Sequence, residues 1–244
     1  MPSTAEIKQY SALRMPKYRQ KYGQFMVEGR KNVLEVFHSG WRIVRILATS
    51  EGIAGLKLPF EPEIISRQEY AKISQMDTPP GLCAIVEIKE WKVSQIDFNQ
   101  PVVLALDGIS DPGNLGTILR TADWFGFRQV VLSKDCTDVY NAKCIAASMG
   151  SFTRMEWVYG DLPEMLNNKN VLGCFMDGEN VGGLVPEFPL VLMVGSEAHG
   201  IRSEAEKMVK KRISIPGAGQ TESLNAGVAA GIVMHSLFGQ TQKG

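Results

Sequence analysis

Apolar spacing first becomes helical at Val33, Leu34 and Phe37, which share one face of a helix that Gly40 would stop. Extended runs follow at Ile43 to Ala48 and Glu63 to Ser66. After the turn Pro79-Pro80-Gly81, the β-rich run Leu82 to Ile88 predicts another strand. Together these predict a small α/β domain over residues 1–90. Lys89 to Pro101 is polar and without period, so residues 91–101 read as a linker. Beyond it the rhythm is strand, loop, helix. Strands are expected at Val102 to Asp107, Gln129 to Ser133, Val171 to Met176, Leu190 to Val194 and Arg212 to Ile215, and helices at Leu115 to Phe125, Val139 to Met149 and Ser223 to Phe238. Uninterrupted apolar strands such as VVLAL and LVLMV suit a parallel sheet covered on both faces, so residues 102–244 predict a second α/β domain.

Composition narrows the function classes. With 44% apolar residues in 244, the chain has enough material for two cores and is not globally disordered. No apolar run reaches the roughly 18 residues that span a bilayer, and the basic start lacks the apolar stretch of a signal peptide. Cys83, Cys136, Cys144 and Cys174 form no CxxC, and His38, His199 and His235 are scattered. The expectation is a cytoplasmic protein without membrane, disulfide framework or metal site. Net charge is zero, yet residues 1–90 are +3 and the remainder −3. Between residues 8 and 31, Lys8, Arg14, Lys17, Arg19, Lys21, Arg30 and Lys31 face only Glu28 and interleave with Tyr10, Tyr18, Tyr22 and Phe25. Cations beside aromatic faces suit phosphate contact and base stacking; a solvated helix face is the plainer alternative.

Parallel sheets place ligands at the carboxyl ends of their strands, and three strand exits here are unusual. The first is DGISDPGNLGTILRTADWFG, residues 107–126, where Asn114 sits near an expected N-cap and Arg120 could simply pair with Asp123. In the second, VGSEAHGIRSE, Gly195 and Gly200 permit close backbone approach and flank Glu197 and His199. It lacks the GxSxG of a hydrolase elbow and the HExxH of a zinc site. The third, RISIPGAGQTESLNAGVAAGIVMH, exposes backbone at Pro216, Gly217 and Gly219, offers Ser223 as a cap, and opens a helix narrow enough for another chain segment or subunit to approach, ordinary helix-on-sheet packing being the plainer alternative. Neither GxxxxGK nor GxGxxG occurs.

Taken in order, DPGNLGTILRTADWFG, LVLMVGSEAHGI and ISIPGAGQTESLNAGVAAGIVMH resemble motifs one to three of the SpoU (TrmH-like) RNA 2'-O-ribose methyltransferases of the SPOUT superfamily. KYRQKYGQFMVEGRKNVLEVFHSG resembles the start of the small substrate-binding domain found in front of many members. The resemblance implies a C-terminal domain with a deep trefoil knot, S-adenosyl-L-methionine bent within it, and a homodimer through that domain. It places cofactor contacts on Gly195, Ile215 and Leu224, with the backbone of Pro216 and Gly200 nearby, and functional polar roles on Asn114, Arg120, Glu197, Ser223 and Asn225.

The implied activity is 2'-O-methylation of structured ribosomal or transfer RNA, with Arg120 the family's activating residue. A guanidinium keeps its proton at ordinary pH and is a poor general base, so clamping a phosphate and polarising the hydroxyl suits Arg120 better. Asn114 and Asn225 would orient ribose and loop, Glu197 would orient Asn114 or Arg120, and Ser223 would fix the third loop. Two rivals remain: a non-catalytic RNA-binding or ribosome-assembly factor, and a small-molecule enzyme using another nucleotide cofactor.

Overall fold

The computed structural model describes residues Met1–Thr241. In chain order it holds α1 (Thr4–Ala12), α2 (Pro16–Tyr22), β1 (Gln24–Glu28), α3 (Arg30–His38), β2 (Ile43–Ala48), β3 (Glu63–Ile64), α4 (Arg67–Ile73) and β4 (Leu82–Glu87). There follow β5 (Val102–Asp107), α5 (Pro112–Trp124), β6 (Gln129–Ser133), α6 (Ala142–Ser148), β7 (Glu156–Gly160), α7 (Leu162–Met165), β8 (Val171–Asn180), β9 (Leu190–Gly195), α8 (Ser203–Glu206), β10 (Val209–Ser214) and α9 (Ala226–Thr241). Contacts divide the chain into two units. The first is Met1–Lys89 with Asp138–Thr153, and the second is Glu90–Thr137 with Arg154 onward. Among the described residues, no helix is long and apolar enough to cross a membrane.

In the first unit the sheet order is β1-β4-β2-β3, with β4 antiparallel to β1 and β2 and β3 parallel to β2. Reciprocal capping boxes, Ser3 with Glu6 and Ser66 with Glu69, open α1 and α4. These helices set Ile7, Tyr10, Leu13, Tyr70 and Ile73 against Met26, Leu47 and Ile85. The buried stripe of α3 runs through Val33 and Val36, so Phe37, expected inside, is instead 37% exposed. The basic front stretch is two helices the apolar pattern did not reveal, because Pro16 interrupts it and starts α2 at its first position.

Two sequence expectations change here. The run assigned to the second domain as a helix from Val139 to Met149 is shorter, and it groups with the first unit. The cause is an aromatic core: Tyr140 and Phe152 lie 4.4 and 6.0 Å from Phe25, and the Trp41 indole donates to the Thr153 carbonyl at 3.1 Å. Arg19, grouped by the sequence with the RNA-facing cations, is a core residue. Its side chain is 2% exposed and pairs with Asp138 at 2.6 Å, while Nη1 donates to the Leu13 and Arg14 carbonyls at 2.8 and 3.1 Å.

The second unit has six strands in the order β10-β8-β9-β5-β6-β7, every pairing parallel. All six residues of β5 are buried, as its uninterrupted apolar run requires. β7 was not legible as a strand. The expected linker packs onto this unit: Trp91 meets Trp157 at 4.3 Å and Ile96 is buried. Helix α5 starts three residues earlier than its apolar run, because Asp111, and not Asn114, is its cap. The Asp111 carboxylate accepts the Asn114 N–H at 2.7 Å, and Pro112 follows as the first helical residue.

The narrow helix α9 meets α5 of the same chain. A Cβ on Gly227 would lie 3.3 Å from Thr117 Cγ2, and one on Gly231 would lie 3.6 Å from Thr121 Cγ2. Of the close approaches the small residues allowed, by another chain segment or by a subunit, the first is seen at Gly227 and Gly231.

Replacing Arg19 by Met should destabilise the protein by about 3 kcal/mol, since it leaves Asp138 and two carbonyls without their donor. Arg19→Lys should recover little of this, because one ammonium cannot reproduce the planar fork. Urea unfolding followed at the Trp41 indole is the check; a loss under ~1 kcal/mol would contradict the core assignment.

Candidate functional site

Beside the middle of β8 and the carboxyl ends of β9 and β10 the second unit forms a half-open cavity of about 850 Å³, within the range of ligand sites. One wall is the run Cys174 to Asp177 just past the point where β8 parts from β9; a second is Gly195 to Glu197 with Gly200; the third is the loop from β10 to α9, including Ile215, Pro216, Ser223 and Leu224. Ala226, Ala229 and Val233 of α9 close the back. Thus all five residues expected at a cofactor, Gly195, Gly200, Ile215, Pro216 and Leu224, line one space.

The two wall loops differ in rigidity. Gly195 is required by chain-on-chain packing: a Cβ there would come within 2.1 Å of the Gly200 carbonyl carbon. Ser196 and Gly200 exchange backbone hydrogen bonds of 3.1 and 2.9 Å, so this loop closes on itself. From Ile215 to Leu224, by contrast, no residue hydrogen bonds elsewhere in the described chain. Its peptide groups are left to water or a ligand. Apolar surface also faces this space, with Met176 70% and Leu224 45% exposed. Unpaired peptide groups beside uncovered apolar side chains are a donor set suited to a ligand with both a heteroaromatic edge and an apolar body, as S-adenosyl-L-methionine has.

On the cavity rim three polar side chains form one directional chain. Asn225, rather than Ser223, caps α9: its Oδ1 accepts the Gly227 and Val228 N–H groups at 3.0 and 3.3 Å. That leaves Asn225 Nδ2 to donate, and it reaches Asn114 Oδ1 at 2.9 Å. Asn114 then has only its own Nδ2 to offer, which donates to Glu197 Oε1. Ser223 lines the cavity without a hydrogen bond to any described residue.

Arg120 stands apart. It is exposed on α5, has no hydrogen-bond or ion-pair partner among the described residues, and does not line the cavity. The ion pair with Asp123 that the sequence allows does not form, because Asp123 pairs with Arg154 at 2.8 Å. His199 is exposed, and no group of three or more His, Cys, Asp or Glu among the described residues could hold a metal.

Sequence reasoning missed the Cys174–Asp177 wall. A usable signal was the change within VLGCFMDGEN from an apolar run to a mixed one, where β8 outruns its neighbour β9 and pairs on with β10 alone. The wall is braced by Arg212, whose guanidinium lies 3.5 Å from the Phe175 ring centre and pairs with Asp177 and Glu206.

Comparison with known proteins adds lineage to this geometry. Residues 101–235 match the SpoU rRNA Methylase family and residues 4–84 an MRM3-like substrate binding domain. The chain is 29% identical over 242 residues to the 23S rRNA (guanosine(2553)-2'-O)-methyltransferase RlmP of Bacillus subtilis, covering 96% of each chain. A solved structure from Porphyromonas gingivalis, assigned to the TrmH family of RNA methyltransferases, superposes with a TM-score of 0.84 at 33% identity, covering 97% of this chain and 98% of that one. An AdoMet-bound rRNA methyltransferase from Sinorhizobium meliloti does so with a TM-score of 0.83 at 26% identity, covering 97% and 96%.

Desolvation pushes the Cys174 thiol up to about 12 although it borders the cavity. At pH 8 it should therefore be almost wholly protonated and react with iodoacetamide at least about 100-fold more slowly than a free cysteine, accelerating only as pH rises toward 12. Timed alkylation followed by mass spectrometry is the check, and labelling at the free-cysteine rate would refute the buried-wall geometry.

Proposed function

The chain belongs to the SpoU rRNA methylase family, and from that membership we propose that it transfers a methyl group from S-adenosyl-L-methionine to the ribose 2'-hydroxyl of a guanosine in structured ribosomal RNA. The observation that carries this reading is the Asn225–Asn114–Glu197 chain on the rim of the cavity. The guanosine assignment is taken from the Bacillus subtilis relative, which is named for that nucleotide.

When bound, the cofactor supplies an electrophilic methyl group on a sulfonium. The peptide groups of residues 215–224 and the apolar walls would hold it. Asn114, with both ends of its amide already committed, presents a fixed edge to an incoming ribose, while Glu197 keeps Oε2 without a protein partner. Arg120, without an internal partner among the described residues, is a cation available to clamp the phosphate beside the target ribose and polarise its hydroxyl.

The finer expectations belong to the same proposal. α9 follows the edge strand β10 yet packs on β9, α5 and the turn Val181–Gly183, a return path that suits a trefoil threading. A dimer through the second domain is supported by apolar surface on α5 and α9, where Trp124 is 83%, Val228 51% and Ile232 40% exposed. The RNA-binding role of the front unit rests on Lys8, Arg14, Lys17, Lys21 and Arg30, all exposed. On α2 the Tyr18 and Tyr22 rings stack at 6.2 Å, with Lys17 Nζ and Lys21 Nζ over them at 4.9 and 5.4 Å. The cysteine pattern supports cytoplasmic residence.

The deciding experiment is a ribose-methylation map of ribosomal RNA from a deletion strain. One mark should vanish and return when purified protein and cofactor are added; an unchanged map would overturn the reading. Arg120→Ala should lower kcat by roughly 10²- to 10³-fold with cofactor affinity nearly unchanged, and Arg120→Lys should fail too. Full activity of the lysine variant would remove the phosphate clamp.

Replacing Lys17, Lys21 and Arg30 by Ala should weaken RNA binding across sequences and flatten the slope of log affinity against log salt by about 0.7 to 0.9 per lost contact. Filter binding at several salt concentrations measures it. An unaltered slope would make this segment a plain solvated face.

A further inference from the structure

One guanidinium ties together three strand exits of the second unit. Asp107, the last residue of β5, is 0% exposed, although ending a strand does not require a carboxylate. Both its oxygens are taken by Arg202, just beyond the second wall loop: the Arg202 backbone N–H donates to Oδ2 at 2.7 Å, and the side chain binds Oδ1 through Nε at 2.9 Å and also through Nη2. The remaining arm, Arg202 Nη1, pairs at 2.9 Å with Asp135 in the loop after β6. Only the Asp107 end of this pair is buried, Arg202 being 44% exposed, and a carboxylate stripped of water seldom stabilises a fold more than an apolar side chain of the same volume would, so the usefulness of the pair lies in fixing geometry. A planar fork shared between two carboxylates has few alternative arrangements.

What it fixes is the loop bearing Glu197. At one end this loop leaves β9 at Gly195, directly opposite Asp107 in the parallel register. At the other it ends on Arg202, and between them the Ser196–Gly200 bonds and the His199 N–H to Ser196 Oγ contact at 3.2 Å remove its freedom. Asn114 follows Asp107 in the chain, so one strand end anchors both partners of the Asn114–Glu197 bond. We propose that Arg202 is a positioning residue, locking the Glu197 loop to Asp107 and Asp135 so that Glu197 stays within reach of Asn114.

The consequence for turnover rests on the methyltransferase reading, but the lock does not. Arg202→Lys removes the fork, and Asp135→Asn weakens only the half-exposed arm, so the second variant keeps the fold if the first does not. Amide hydrogen exchange in the ligand-free protein should show protection at Gly200 and Arg202 falling at least tenfold in either folded variant, with β5 and β6 unchanged. With RNA and saturating cofactor, kcat per cofactor-occupied site should fall about tenfold or more for Arg202→Lys and several-fold for Asp135→Asn, with the RNA KM within twofold of wild type. A merely structural role would instead lower binding stoichiometry and activity in step. Unchanged exchange in a folded variant, or raised exchange with kcat per occupied site unchanged, would overturn the proposal. Wild-type protein that binds cofactor but methylates no RNA would refute the functional reading, and the exchange measurement would still decide the lock.

Discussion

The first turn of α9 dictates the polarity of the site. Its exposed N–H groups need an acceptor, and Asn225 supplies Oδ1 to two of them. An amide that gives its oxygen to a helix cap has only its NH₂ left, so Asn225 donates to Asn114, and Asn114 in turn donates to Glu197. A requirement of secondary structure thereby orients three side chains that have no contact through sequence.

That relay exists because α5 and α9 approach closely. Glycines on α9 admit Thr117 and Thr121 of α5 at van der Waals distance, so the helix bearing Asn114 lies alongside the one that begins after Asn225. The parallel pairing of β5 with β9 sets Asp107 opposite Gly195 and delivers the Glu197 loop to the same end of the sheet. Of the two loops that wall the cavity, the second bonds to itself and to β5 while the third makes no hydrogen bond within the described chain. A ligand entering between them would meet one fixed wall and one with peptide groups to satisfy.

Charge is divided similarly between structure and surface. Arg19, Arg202 and Arg212 are held in ion pairs, whereas Arg120 has none among the described residues and the lysines of α2 sit over half-buried tyrosine rings. A count of basic residues treats these alike; what separates them is whether carboxylates already occupy the guanidinium, and for Arg19, 2% exposed, that pairing is a demand of burial itself.

The sequence determined the local features. Uninterrupted apolar runs gave β5 and β9 almost to the residue, and glycine, proline and cap residues marked three exits from the parallel sheet, of which the second and third line one cavity and the first brings Asn114 to Glu197 on its rim. Weak or interrupted patterns hid α1, α2, β1 and β7, and a helix counted with the second unit joins the first through its aromatic neighbours. Pairing was beyond the sequence: Asn114 meets Glu197 across 83 positions, Arg202 meets Asp107 across 95, Asn225 meets Asn114 across 111, and Arg19 meets Asp138 across 119. Periodicity reports which side of an element is buried, and residue type reports what a side chain can donate or accept. Which donor faces which acceptor depends on strand order, register and helix packing, and only the tertiary structure decided those.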